Sequence, residues 1–401
     1  MTLKHAPAID DLRRLYKARA PRMFYDYCET GSYSTGTFQE NTTAFEKYKL
    51  RQRVAVNIDN RSLKTNMVGE MASMPVALAP IGSLGMQHSD GEILSARAAQ
   101  KFGVPFTLST MSICSLEEVA KNVEKPFWFQ LYVMRDRGFS SALVARAKAA
   151  NCSALVLTLD LQILGQRHKD VKNGLSSPPK LTLPNILNMM TKPSWCMGML
   201  GTKNRQFGNI VGHAKDVKDV ASLNEWANHQ FDQTLDWSSV DFIRKQWGGK
   251  LILKGINDVE DAITASKLGA DAIIVSNHGG RQLDGTFATI DTLAPIVDAV
   301  GDKIEVYFDS GIRSGIDIMK AMALGAKGTF VGRAYVYGLG AAGEEGVSHA
   351  LQILYKELDT TMALCGERDI KNVGRQNIVM PVASHVMPSF DAAAKPRRTK
   401  R

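Results

Sequence analysis

The chain has 401 residues, 44% of them apolar and 22% charged, a balance that supplies a large buried core and excludes disorder as the main state. Its length fits several ordinary domains or one large α/β barrel with additions. The net charge of +9 is uneven: Lys172 to Lys215 holds six basic residues and no acid, the terminal KPRRTKR holds five more, and the remainder is close to neutral, so no nucleic-acid partner is expected and an anionic membrane surface is the better match.

The N-terminal stretch MTLKHAPAIDDLRRLYKARA mixes acids and bases where a signal peptide needs an apolar core, so a cytoplasmic chain is expected. Residues 1–70 read as a helical preface. The next segment, Met71 to Ser89, is uncharged but broken by Pro75, Pro80, Gly82 and Gly85, which suits a strand and a loop better than a membrane span. It opens a series of short apolar, β-rich runs: VALAP (76–80), PFTLS (105–109), FWFQLY (127–132), ALVLTLD (154–160), LILKG (251–255), AIIVSN (272–277), EVYFDS (305–310) and GTFVGR (328–333). Segments such as ILSARAAQKF, SALVARAKAA, VEDAITASKL and GIDIMKAMAL lie between them with apolar residues at helical spacing. Runs that are apolar throughout fit parallel strands covered on both faces. Eight such β/α units predict a TIM (β/α)8 barrel over residues 71–340, within a single domain that spans the chain.

The rhythm breaks once. The fourth run ends at Asp160 and the fifth starts at Leu251, far more than a crossover needs, which places an insertion after strand 4 at about 171–235. It carries Pro178, Pro179, Pro184 and Pro193, the acid-free stretch, and the Met-rich LNMMTKPSWCMGML. A loop after a strand's C-terminal end lies on the catalytic face of a barrel, so the insertion reads as a lid, a docking surface or both. Residues 341–401 read as a long amphipathic helix and a basic tail. The cysteines, Cys28, Cys114, Cys152, Cys196 and Cys365, show neither paired nor ligand spacing, so neither a disulfide framework nor a metal site is expected.

All eight strand ends of a barrel converge on one mouth, which makes polar residues there the candidates for chemistry. They are Ser109, Gln130 with Tyr132, Thr158 with Asp160, Lys254, Ser276 with His278, Asp309 with Arg313, and Arg333; Arg167 and Arg281 follow the fourth and sixth runs. One such residue is ordinarily a loop cap, but the whole set together is not. FDSGIRSG and FVGR put glycine amides and arginines where barrels hold a phosphate, which Arg313 or Arg333 can grip bidentately. Asp309 would repel a phosphate at contact and suits sugar or ribityl hydroxyls instead. The implied ligand is a phosphorylated cofactor.

The block SNHGGRQLDG (276–285), with LKG at 253–255, WFQLYV at 128–133, TLD and GQRHKD within 158–170, and DSGIRSG, resembles the FMN-dependent L-2-hydroxy acid dehydrogenase and oxidase family over most of the chain from Tyr25 to about Gly374. Within that family the similarity is greatest to the bacterial respiratory, quinone-linked L-lactate dehydrogenases, with mandelate dehydrogenases next. The resemblance implies FMN as cofactor and His278 as active-site base, oriented by Asp160. It implies Arg281 and Arg167 as ligands of the substrate carboxylate, Tyr132 and Tyr27 as substrate-binding hydroxyls, and Lys254 as the cation beside flavin N1 and O2. The implied cofactor set is completed by the backbone of Ala79 and Pro80 and by Ser109, Gln130, Thr158, Ser276, Asp309, Gly311, Arg313, Gly332 and Arg333. The residue types suit these tasks: imidazole titrates near neutrality, and guanidinium matches a carboxylate edge to edge.

The expected reaction is oxidation of an L-2-hydroxy acid, L-lactate to pyruvate first among them, with electrons passed to a membrane quinone; an oxygen-using 2-hydroxy acid oxidase or a mandelate dehydrogenase is the alternative. Gly82 stands where oxidases usually carry alanine, and Met111 where plant-type oxidases have tryptophan. Gln162 and Ile163 replace a proline-containing segment, and His168 and Lys169 a Tyr-Arg pair, on either side of a retained Arg167. A peripheral place on the cytoplasmic side of the inner membrane, with residues 172–215 against anionic lipid, and a homotetramer complete the expectations.

Overall fold

Eight parallel strands form a ring in the computed structural model, which describes residues 2–175, 182–214 and 230–379. They are β1 (Val76–Leu78), β2 (Thr107–Ser109), β3 (Trp128–Tyr132), β4 (Ala154–Thr158), β5 (Lys250–Ile256), β6 (Ala272–Val275), β7 (Glu305–Phe308) and β8 (Gly328–Val331), one on each apolar run. Seven neighbouring pairs are laddered in the order β1-β8-β7-β6-β5-β4-β3-β2. The ring closes where Leu78 bridges to Phe106 and its N–H donates to the Pro105 carbonyl at 2.9 Å. This is the TIM barrel that the alternation of strand and helix predicts.

Period-two alternation divides the strand residues between two cores. Outward residues such as Leu108, Phe129, Leu131, Leu155, Leu157, Leu253 and Phe308 join the large cluster shared with the surrounding helices. Inward residues Ala77, Trp128, Ala154, Val156, Ile252, Ala272, Ile274, Tyr307 and Phe330 form a separate inner cluster. Two residues further along the same inward lines come Gln130, Thr158, Lys254, Ser276 and Asp309, so the interior turns from apolar to polar toward the C-terminal mouth.

The preface departs from its expected helical form. Helices Ile9–Arg19, Arg22–Cys28 and Gly36–Thr43 are present, but residues 51–64 are mostly irregular and are followed by a hairpin, Thr65–Met67 with Glu70–Ala72. That hairpin closes the N-terminal end of the barrel: Met67, Val68 and Ala72 enter the inner cluster, and the Trp128 indole donates to Glu70 at 2.8 Å. Burial at the barrel floor overrides the weak local pattern.

The C-terminal helix is joined to the barrel through a kink. Arg333–Leu364 is two helices across a kink, because Ala342 and Gly343 leave helical dihedral angles. The halves fold back until backbones touch: a Cβ on Gly346 would lie 1.9 Å from the Gly338 carbonyl oxygen. The first preface helix packs here as well, its Tyr16 ring against Gly340. The insertion supplies helices Leu183–Met190 and Pro193–Gly201 before Trp237–Trp247 restores the barrel rhythm. Residues 176–181 and 215–229 of the insertion, and the basic tail, lie outside the described residues.

Gly346→Ala should therefore cost about 3 kcal/mol, the upper end of the range for overpacking, and lower the melting temperature by several degrees in a thermal scan. Gly201→Ala, where an added Cβ meets nothing within 4 Å, should leave it unchanged.

Candidate active site

The strand register sets the site. Tyr132, Thr158 and Lys254 are laterally paired across β3, β4 and β5, and Ser109 pairs with Gln130 across β2 and β3. Past the strand ends, His278 Nδ1 meets Asp160 Oδ1 at 3.0 Å, and the His278 N–H donates to Ser276 Oγ at 3.1 Å. Gly255 permits that approach: it sits at φ +97°, and a Cβ there would fall 2.6 Å from Asp160 Cγ. Burial holds the His278 imidazole below its ordinary value against the opposing pull of Asp160. Burial pushes the Asp160 carboxyl up, but the neighbouring His278 and Lys254 outweigh it and leave the group lowered. With an ionised Asp160 accepting from Nδ1, the lone pair of Nε2 is left free for a proton.

Two guanidiniums share the mouth. Arg167 Nε donates to the Arg281 carbonyl at 3.4 Å, and burial, followed by the Arg281 charge, brings Arg167 down to about 10. Arg281 Nη1 donates to the carbonyls of Tyr27 at 2.5 Å and Thr30 at 3.3 Å, and its plane lies 4.5 Å over the Tyr27 ring. Arg281 Nη2 is buried without a hydrogen-bond partner, with Asp170 Oδ2 4.0 Å away. Buried like charges with so little compensation favour an anion in their midst. Burial raises the Tyr132 hydroxyl well above its ordinary value, with Asp160 adding to the effect, so it stays protonated and able to donate.

On the other side of the mouth a hydrogen-bonded chain runs from Lys254 Nζ to Ser276 Oγ at 2.8 Å and from Ser276 to Asp309 Oδ2 at 2.7 Å, with Lys254 also 3.1 Å from Asp309. Ser109 Oγ donates to Gln130 Oε1 at 3.0 Å, while Gln130 Nε2 and Thr158 Oγ1 are buried without partners. These polar atoms, flanking one buried cation on adjacent inward positions, fit the carbonyl and ring-nitrogen edge of a flavin. Ala79 and Pro80 follow β1, with the Ala79 carbonyl already accepting from Tyr335 at 2.9 Å. Gly311 and Arg313 follow β7, and Gly332 caps the helix that begins at Arg333. Arg313 spends Nη1 on the Ile312 carbonyl, whereas the Arg333 fork is turned onto the carbonyls of Cys28, Gly279 and Thr30.

Every proposed site residue thus lies among the described residues at or beside one mouth. Tyr27 is the one that periodicity alone places elsewhere, since it belongs to the preface, yet Arg281 pulls its helix over the barrel end. Sequence reasoning did not single out Asp170, the buried carboxylate nearest Arg281, or Gln282, whose amide bonds to the loop after β4. Both sit inside the quoted GQRHKD and SNHGGRQLDG blocks, which was the available signal.

A family profile described as FMN-dependent dehydrogenase matches residues 16–380. The chain is similar to the L-lactate dehydrogenase of Vibrio parahaemolyticus, 41% identical over 374 residues that cover 93% of this chain and 98% of that one. It is similar to the L-lactate dehydrogenase of Pseudomonas syringae pv. syringae, 43% identical over 379 residues with 93% and 98% covered. A solved structure of a monotopic membrane protein, (S)-mandelate dehydrogenase, superposes with a TM-score of 0.90 at 34% identity, covering 94% of this chain and all of that one.

The electrostatics of the His278–Asp160 pair give a signed expectation. Because the carboxylate opposes the downward effect of burial, Asp160→Asn should lower the His278 pKa further, followed by NMR of the imidazole ring. Gly255→Ala, which displaces Asp160, should move it the same way; an upward shift in either variant would contradict the pairing.

Proposed function

The chain belongs to the FMN-dependent dehydrogenase family, with FMN as its cofactor, and on that premise we propose that it oxidises an L-2-hydroxy acid, L-lactate first, to the 2-oxo acid and passes the electrons to a membrane quinone. The observation that carries the substrate class is the pair of buried guanidiniums beside a histidine–aspartate dyad. Arg167 and Arg281 take the carboxylate, with Arg281 Nη2 the open donor. The hydroxyls of Tyr132 and Tyr27 orient the substrate hydroxyl. His278 Nε2 takes one proton, and Asp160 stabilises the imidazolium that forms.

FMN supplies the two-electron acceptor when bound. Its ring would rest against Ala79 and Pro80, with Ser109, Gln130 and Thr158 at its polar edge and Lys254 where negative charge develops. Ser276 and Asp309 suit the ribityl hydroxyls. The amides of Gly311 and Gly332, with Arg313 and the charge of Arg333, suit the phosphate.

The membrane side of the proposal rests on the insertion. No helix among the described residues is long and apolar enough to cross a membrane. Instead, Leu183, Leu187, Met190, Met197 and Leu200 stand more than half exposed on two short helices in the acid-free stretch. Lys192, Lys203 and Arg205 lie among them. Shallow apolar insertion combined with attraction to anionic lipid is the mode such helices use, and the similar solved (S)-mandelate dehydrogenase is a monotopic membrane protein. A homotetramer is the assembly we propose, as in the expectation from the family.

His278→Gln should retain FMN but slow anaerobic flavin reduction by L-lactate about 10²–10⁴-fold, the usual share of a general base; unimpaired reduction would sink the assignment. Arg281→Met should raise KM for lactate far more than it changes FMN content. In flotation with anionic vesicles, Leu187→Asp combined with Leu200→Asp should release the protein, and binding of the parent should weaken with salt. Fastest reoxidation by oxygen would favour the oxidase alternative instead.

A further inference from the structure

We infer that Gln282 is a positioning residue whose side-chain amide clamps the loop bearing Asp160 and Arg167 onto the loop bearing His278 and Arg281; the inference deepens the proposed reading and rests on it. Its Nε2 donates to the carbonyls of Asp160 at 2.7 Å and Ile163 at 2.8 Å, and its Oε1 accepts from the Gly165 N–H at 3.2 Å. All three bonds run from one side chain to the backbone of one loop, and they use both amide hydrogens and the oxygen.

Besides these three bonds, residues 160–165 are held by the buried Leu161 side chain, by Gln162 Nε2, which donates to the Leu235 carbonyl at 2.6 Å, and by the Asp160 contact with His278; none of these ties the backbone of 163–165 to the loop of His278 and Arg281. Gln162, Ile163 and Leu164 are exposed, so beyond Leu161 no apolar burial anchors the stretch that Gln282 reaches. Its far end is tied by the Tyr33 N–H to the Gln166 carbonyl at 2.8 Å and by the longer Arg167–Arg281 contact. The carbonyl that Gln282 holds belongs to the residue whose carboxylate meets His278. Release of the amide therefore loosens both the dyad and the placement of Arg167, two parts of the site that no hydrogen bond joins directly. The residue next to Arg281 in the chain thus sets the geometry between the substrate-carboxylate ligands and the base, without itself touching substrate or cofactor.

The test uses the FMN-loaded enzyme with Gln282→Met, which keeps the length and removes every polar group, and Gln282→Glu, which keeps only the acceptor. Both should slow flavin reduction by L-lactate about ten- to a hundredfold, the scale of a misplacement near one ångström. Both should also raise KM several-fold and move the acid limb of kcat/KM to lower pH, the direction expected for Asp160→Asn. Amide exchange at Gly165 should quicken in the Met variant and stay protected in the Glu variant, while FMN content holds. A wild-type KM and pH profile in Gln282→Met would overturn the inference, as would slower turnover without either shift. If no 2-hydroxy acid reduces the wild-type flavin, the functional reading fails separately; Gly165 exchange and the His278 titration then still judge the clamp, and a wild-type result in both overturns it.

Discussion

Closing eight parallel strands into a ring leaves every second side chain no direction but inward, and the chemistry of the molecule depends on that constraint. At the floor of the barrel the inward places are filled by Ala77, Ala154, Val156, Ile252, Ala272 and Ile274, with Trp128, Tyr307 and Phe330 as the large members. One step toward the mouth the same lines carry Gln130, Thr158, Lys254, Ser276 and Asp309. No loop has to search for these groups. Strand register brings Lys254 within 2.8 Å of Ser276, and the residues just past the strands inherit the alignment that pairs His278 with Asp160. A barrel wall so dry on one side and so polar on the other also makes each charge at the mouth count for more than it would in water.

That low-dielectric setting decides how the charges are arranged. Lys254 has Asp309 beside it, and His278 can remain neutral, but among the described residues Arg281 has its carboxylate contact with Asp170 at the long distance of 4.0 Å, and Arg167 has no ion pair within that range. A lone buried cation is costly, and each of these finds backbone carbonyls or an aromatic face instead. Arg281 lies over Tyr27 and Arg333 over Phe38, each at 4.5 Å, and together they bind the carbonyls of Tyr27, Cys28 and Thr30. The preface is therefore held on the barrel by the same cations that make the mouth attractive to an anion. If Arg281 takes the substrate carboxylate as proposed, the stability of that contact and the affinity for substrate are not independent.

What the sequence discloses follows the range of the forces involved. Strand positions were legible because burial on both faces of a parallel sheet leaves unbroken apolar runs such as ALVLT and AIIV, and the polar residues ending them could be counted off directly. The proposed role of His278 and its neighbours needed the resemblance, since a single histidine at a strand end has many ordinary explanations. The floor hairpin was not legible: Thr65–Met67 and Glu70–Ala72 are too short for a period, and only the inner cluster gives them a reason. Nor was the kink at Ala342 and Gly343, because a glycine within a helical stretch does not by itself tell a kink from a tolerated position, and the fold-back is set by Gly338 meeting Gly346. Long-range hydrogen bonds such as those of Gln282 leave no periodicity in the chain; only its place inside SNHGGRQLDG marks the residue.

The insertion links the two halves of the proposed reaction. It departs from the loop that bears Asp160 and Arg167, and its helices rest on the preface. Trp195 stacks on Phe24 at 5.4 Å and donates to the Met86 carbonyl at 2.9 Å, while Asn188 accepts from the Arg22 N–H at 2.7 Å. Phe24 and Tyr27 stand three residues apart on the helix Arg22–Cys28, so that helix is gripped by the insertion at one residue and by Arg281 at the other. The docked face leaves Leu187, Met190 and Leu200 outward, and covering such side chains gains about 25 cal/mol per Å² of apolar surface removed from water. A lipid surface offers that gain, and the absence of acids from 172 to 215 removes the repulsion that anionic headgroups would otherwise exert. On the proposed reading, the helices that would meet lipid are thus the ones that pack, through Trp195 and Phe24, on the helix that carries Tyr27.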